Sequence, residues 1–179
     1  MTTDPMPDMS CVPYQRKKLY LLLTVPFLVL LLSVLVYLWT VGFLLALVFL
    51  LLYLVMCYFQ AYCCAHQNCP YVGGFCPAVI GILPASLMAK IFYGGKAVET
   101  SQQKFEIYAT VAVMAWVGLL VFPLFWIADL GLAYAVGYAL AHVVYTLIFG
   151  LTICPACALR NICPGGKFHK LVLRLTSNR

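Results

Sequence analysis

The chain alternates long apolar stretches with short polar ones. Residues 19–61 are almost wholly Leu, Val, Phe, Tyr and other apolar types. At about 1.5 Å of rise per residue, that is too long for one crossing of a hydrocarbon core about 30 Å thick. The natural break is Thr40-Val41-Gly42, which divides the stretch into spans at 19–39 and 42–61 joined by a very short turn. A third span covers 107–128, contains Pro123 and ends at Asp129; a fourth covers 130–153. None of these runs alternates with the period of two that marks a membrane strand. Residues 78–93 are apolar but too short to span, and they contain Pro84, which predicts an interfacial or re-entrant helix.

The pattern predicts an all-α membrane protein with four transmembrane helices. They form two tandem helical hairpins, with the short interfacial or re-entrant helix after the second span. The expected segments are a flexible tail at 1–18, a first hairpin at 19–61, and a Cys-rich segment with interfacial helix and polar loop at 62–106. A second hairpin at 107–153 and a Cys-containing basic tail at 154–179 complete the chain.

Composition sharpens this. The chain is 65% hydrophobic and 9% charged, more apolar surface than a soluble domain of this size can hide. The net charge of +6 does not point to nucleic acid, because no binding motif accompanies it. All eleven Lys and Arg fall at 16–18, 90–104 or 160–179, and the turns near 40 and 129 carry none. By the positive-inside rule both termini and the 62–106 segment are expected in the cytoplasm. The expected home is an inner (cytoplasmic) membrane of prokaryotic type, with the lipid bilayer as first partner. No small-residue cleavage site follows a short apolar core, so the first helix is expected to stay as an anchor.

Nine cysteines punctuate the chain, and seven lie in two short clusters at membrane exits: 63, 64, 69 and 76, then 154, 157 and 163. The sequence CAHQNCPYVGGF from Cys64 aligns with CALRNICPGGKF from Cys157, which predicts an internal duplication delivering both segments to one face. On a reducing face, clustered thiols point to metal binding or redox chemistry rather than structural disulfides. Thiolates are soft ligands for zinc or an iron–sulfur cluster. The candidate metal ligands are Cys64, Cys69, Cys76, Cys154, Cys157 and Cys163. Cys63 and His66 are open as further ligands. Cys11 reads as a thiol of the loose tail, and Cys57 as a core or lipid-facing residue.

Four of the cysteines precede proline: Cys69, Cys76, Cys154 and Cys163. Cys-Pro segments beside a helical bundle resemble those of membrane-bound iron–sulfur subunits that exchange electrons with quinones. The likeness is confined to the two cysteine segments, and the full ferredoxin run is absent. It implies electron transfer between a cysteine-ligated centre and a quinone or a partner subunit. A homo-oligomer is the other partner expected.

Two other functions compete. CPAC at 154–157 has the form of a dithiol oxidoreductase motif, and helix count and CxxC resemble membrane oxidoreductases of the vitamin K epoxide reductase type. There, however, the motif should begin a helix, and here it ends one. The second is a non-catalytic assembly protein or a heavy-metal transporter, which would use Cys57, His142, Thr110, Thr146 and the tyrosines inside the spans.

His142 lies mid-span and is the candidate cofactor contact, as haem ligand, quinone hydrogen bond or proton relay. The bland alternative is a neutral imidazole bonded to Tyr134, Tyr138 or Thr146. Asp129 reads as a cap for the fourth helix. His169 reads as solvated. The Gly-Gly-Lys triplets at 94–96 and 165–167 lack the rest of a phosphate loop. No catalytic triad or carboxylate pair is present.

Overall fold

The computed structural model describes residues 9–66, 69–71, 75, 77, 90–91, 94 and 102–161. Among these the chain is helical along its apolar stretches and has no strand. Helix α1 is Lys17–Val41, α2 is Phe43–His66, α3 is Gln102–Val121, α4 is Leu124–Leu130 and α5 is Leu132–Ile148. A π-helical turn, Phe149–Ile153, and a 3₁₀ turn, Cys154–Ala156, prolong α5. Four runs are long and apolar enough to cross a membrane: Lys17–Val41, Phe43–Tyr62, Gln103–Leu130 and Leu132–Ala156. The described residues are thus all-helical, with four helices of membrane-spanning length and apolarity.

The first break falls at Gly42, as the TVG pattern predicts. The third span starts earlier and runs further than expected. Pro123 does not merely kink it: without an N–H, proline interrupts the ladder, so α3 ends and the Ile127 N–H restarts α4 on the Pro123 carbonyl at 2.9 Å. The α4–α5 break is at Gly131, whose φ of 134° lies where side chains are strained. Asp129 does not cap the fourth span. It is exposed inside α4, and α5 has no side-chain cap.

Each helix turns one stripe inward. On α1 it is Tyr20, Thr24, Phe27, Leu31, Val34 and Leu38; on α5 it is Ala135, Tyr138, His142 and Tyr145, continued by Phe149 and Ile153. The three- and four-residue spacing is that of bundle helices. The opposite faces are equally apolar, with Leu22, Leu32, Leu44 and Leu132 exposed. Such faces suit lipid. Helix α2 packs between α1 and α3, and α5 closes on α1 and α4. Helices α2 and α3 approach closely at Gly118, where a Cβ would meet Leu52 Cδ2 at 3.3 Å.

Within the expected flexible tail, Tyr14 packs inward and Cys11 and Val12 are half-buried, while Ser10, Pro13, Gln15 and Arg16 are exposed. Tyr14 is 2% exposed. Its ring stacks on Phe75 at 6.0 Å and meets Tyr71 edge-on at 6.1 Å. Arg16 Nη1 donates to the Thr152 carbonyl at 2.6 Å, occupying an acceptor at the end of the fourth span. Apart from 90–91, the expected short helix at 78–93 lies outside the described residues, as does most of the second copy of the aligned cysteine motif.

Candidate functional site

The chain ends of the bundle meet around two tyrosines. The segment 69–71 follows α2, residues 10–16 precede α1, and residues 154–161 run out of the last turn of the fourth span. Tyr71 joins all three. Its hydroxyl donates to the Cys11 carbonyl at 2.8 Å and accepts the Ala158 N–H at 3.2 Å. Tyr14 lies against it, with its own hydroxyl 3.4 Å from the Ile153 carbonyl. A single phenol thus ties the first cysteine segment to the second and holds the N-terminal segment over both.

Local geometry explains the second segment. Proline at 155 cannot donate to a helical ladder, and the helix loosens into the π turn before it. Cys154-Pro155-Ala156 then tightens into a 3₁₀ turn closed by the Cys157 N–H on the Cys154 carbonyl at 3.1 Å. Both thiols of CPAC are half-buried here. π-Helical turns recur at functional sites.

Cys69 is buried at 7% exposure. Cys11, read from sequence as a loose-tail thiol, is half-buried in the same neighbourhood. Burial pushes the Tyr71 phenol up to about 12; the Ala158 N–H offsets this, while Cys157, Cys11 and Cys69 add to it. Burial likewise holds the Tyr14 phenol well above its ordinary value, and Cys157 and Cys154 push the same way against Arg16. Both tyrosines are neutral hydrogen-bonding groups at pH 7, within electrostatic range of four cysteines from three segments. The rim is basic. Arg160 Nη1 donates to the Pro155 carbonyl at 3.3 Å, Arg16 reaches Thr152, and Lys17 Nζ stands 5.5 Å from the Phe75 ring centre.

Of the six expected ligands, Cys69, Cys154 and Cys157 share this end of the bundle. Cys76 and Cys163 lie outside the described residues, and the side chains of Cys64, Cys63 and His66 are likewise not described. Among the described residues, no three His, Cys, Asp or Glu side chains are grouped to hold one metal ion.

A second polar locus lies inside the bundle. His142 is 2% exposed. Trp116 of α3 covers its ring at 4.1 Å between centroids, Phe27 of α1 stands edge-on at 5.3 Å, and Tyr138 at 6.0 Å. Neither imidazole nitrogen makes a close, well-aligned hydrogen bond, and the Trp116 backbone is a weaker partner. The partners proposed from sequence are engaged elsewhere. Tyr138 donates to the Leu119 carbonyl at 2.6 Å, Thr146 donates to the backbone carbonyl of His142 at 2.8 Å, and Tyr134 is 66% exposed. One turn on, Tyr145 shares a 3.3 Å hydrogen bond with Thr24 and stacks on Phe27 at 4.2 Å. Cys57 is buried beside Tyr53 and shares a hydrogen bond with it.

Comparison with protein-family models, with curated proteins and with solved structures finds no match.

Proposed function

We propose that the protein carries a cysteine-ligated metal centre, an iron–sulfur cluster or zinc, at the end of the bundle where its cysteine segments meet. The carrying observation is the Tyr71 hydroxyl, bonded to Cys11 on one side and Ala158 on the other. It brings two segments rich in soft donors to one place, beside a basic rim that suits an anionic thiolate centre. Cys69, Cys154 and Cys157 would supply ligands, completed by Cys64, Cys76 and Cys163. An iron–sulfur cluster supplies one-electron chemistry; zinc supplies a closed structural site.

On the iron–sulfur reading the protein passes electrons between this centre and a quinone or a partner subunit in the bilayer. The tandem-hairpin plan belongs to the same proposal, since each hairpin would deliver one cysteine segment to the cytoplasmic face. Thiol exchange through CPAC is less favoured, because the motif follows a helical run and gains nothing from a helix N-terminus. The test is metal and sulfide analysis, with optical spectra, of anaerobically purified protein.

A further inference from the structure

Four cations meet where α1 begins and the fourth span ends. Arg16, Lys17 and Lys18 are consecutive and exposed at the start of α1. Arg16 Nη1 donates to the Thr152 carbonyl at 2.6 Å, and Arg160 Nη1 donates to the Pro155 carbonyl at 3.3 Å. Those carbonyls are three residues apart, roughly 5 Å along one terminal turn, so both guanidiniums are pinned to the same helix end. The Lys17 ammonium is held over the Phe75 ring, 5.5 Å from its centre.

Within the bundle little answers this gathering of like charge. The helix-end carbonyls account for one N–H of each arginine, and a guanidinium carries five. They offer nothing to Lys17 or Lys18. The described acidic side chains, Glu106 and Asp129, stand on α3 and α4 rather than on either element of the cluster. Apolar surface continues the cluster inward. Leu22, four residues past Lys18, is 72% exposed, and Ile148, four residues before Thr152, is exposed too. That spacing puts each on the face of its polar neighbour, and the Thr152 hydroxyl indeed bonds the Ile148 carbonyl at 2.6 Å. A cationic end thus adjoins two outward apolar faces, at the level where a spanning helix leaves the hydrocarbon.

We propose that this cluster is a binding site for an anionic phospholipid. The phosphodiester lies between Arg16 and Arg160, whose N–H donors suit phosphate oxygens. Lys17 and Lys18 balance the remaining headgroup charge, and the acyl chains run along the faces of Leu22 and Ile148. A soluble anion would meet the charges but not the apolar faces, so the lipid is the occupant. Bound there, it clamps the start of α1 to the end of the fourth span. The site stands separately from the metal centre, because none of its groups is a proposed ligand.

The experiment uses the full chain in a neutral detergent, titrated with dioleoyl phosphatidylglycerol or dioleoyl phosphatidylcholine. Native mass spectrometry counts bound lipid, and thermal unfolding is read in parallel. The expected result is one saturable phosphatidylglycerol site per chain, with a rise in stability that saturates with it. Each cation removed weakens binding about fivefold. Lys17→Gln with Lys18→Gln, which leaves both arginine–carbonyl bonds in place, therefore weakens it about 25-fold, and Arg160→Gln about fivefold. Lys90→Gln with Lys104→Gln removes the same charge from exposed positions elsewhere and leaves binding unchanged. Unchanged binding in the first pair, or equal loss in both pairs, overturns the proposal, since the attraction is then absent or diffuse. So does equal binding of phosphatidylcholine, or an equal rise in stability from inorganic phosphate alone.

Discussion

The Tyr71 hydroxyl lies 2.8 Å from the Cys11 carbonyl oxygen, across sixty residues of chain. With the Ala158 N–H on its other side, this phenol is the one described group bonded to all three segments at the cysteine end. Its replacement by phenylalanine leaves a carbonyl and an N–H without their partner. Tyr71→Phe is expected to cost about 1–3 kcal/mol. Thermal unfolding in detergent, together with faster maleimide labelling of Cys157, checks it.

Tyr14 acts by packing rather than by its hydroxyl. The ring is 2% exposed, while the hydroxyl bond to Ile153 is long at 3.4 Å. Tyr14→Ala is expected to cost about 3–5 kcal/mol and Tyr14→Phe less than about 1 kcal/mol. Equal small effects from both would mean that the N-terminal segment is not anchored.

Stability falls in alkali through these phenols. Burial raises the folded-state value of Tyr71 to about 12 from an ordinary 10.0. Between these values the unfolded chain gives up the proton and the folded protein retains it. Stability is therefore full below about pH 10 and is lost progressively as pH rises toward 12. Tyr14 shifts the same way. Alkaline titration of tyrosinate absorbance should show late-ionising tyrosines, and Tyr71→Phe should flatten the loss of stability.

Hydrogen bonds inside the spans are expected to be modest. Tyr145→Phe removes the 3.3 Å bond to Thr24 and should cost about 0.6 kcal/mol, since the chain unfolded in a membrane also finds partners. Unfolding in mixed micelles measures this.

The spans were legible because hydropathy and length alone decide them, and Gly42 and the basic residues fixed the turns and the expected orientation. The inward faces were not legible. In lipid, Leu31 inside and Leu32 outside satisfy the same rule. The polar, proline-bearing N-terminal segment reads as disorder because the partners of Tyr14, Phe75 and Ile153, are distant in sequence. Cys11 was missed for the same reason. His142 was visible as an ionisable group in hydrocarbon, but its neighbours were not: the sequence offers Tyr138 and Thr146 at helical spacing, whereas Phe27 and Trp116 come from other helices.

The metal centre is tested by the metal and acid-labile sulfide content of the full chain purified without oxygen, together with its optical spectrum. Bound iron with sulfide and a visible charge-transfer band, or stoichiometric zinc, is expected, and is lost when Cys154 and Cys157 are replaced by serine. A colourless, metal-free protein whose clustered thiols all alkylate freely would contradict it.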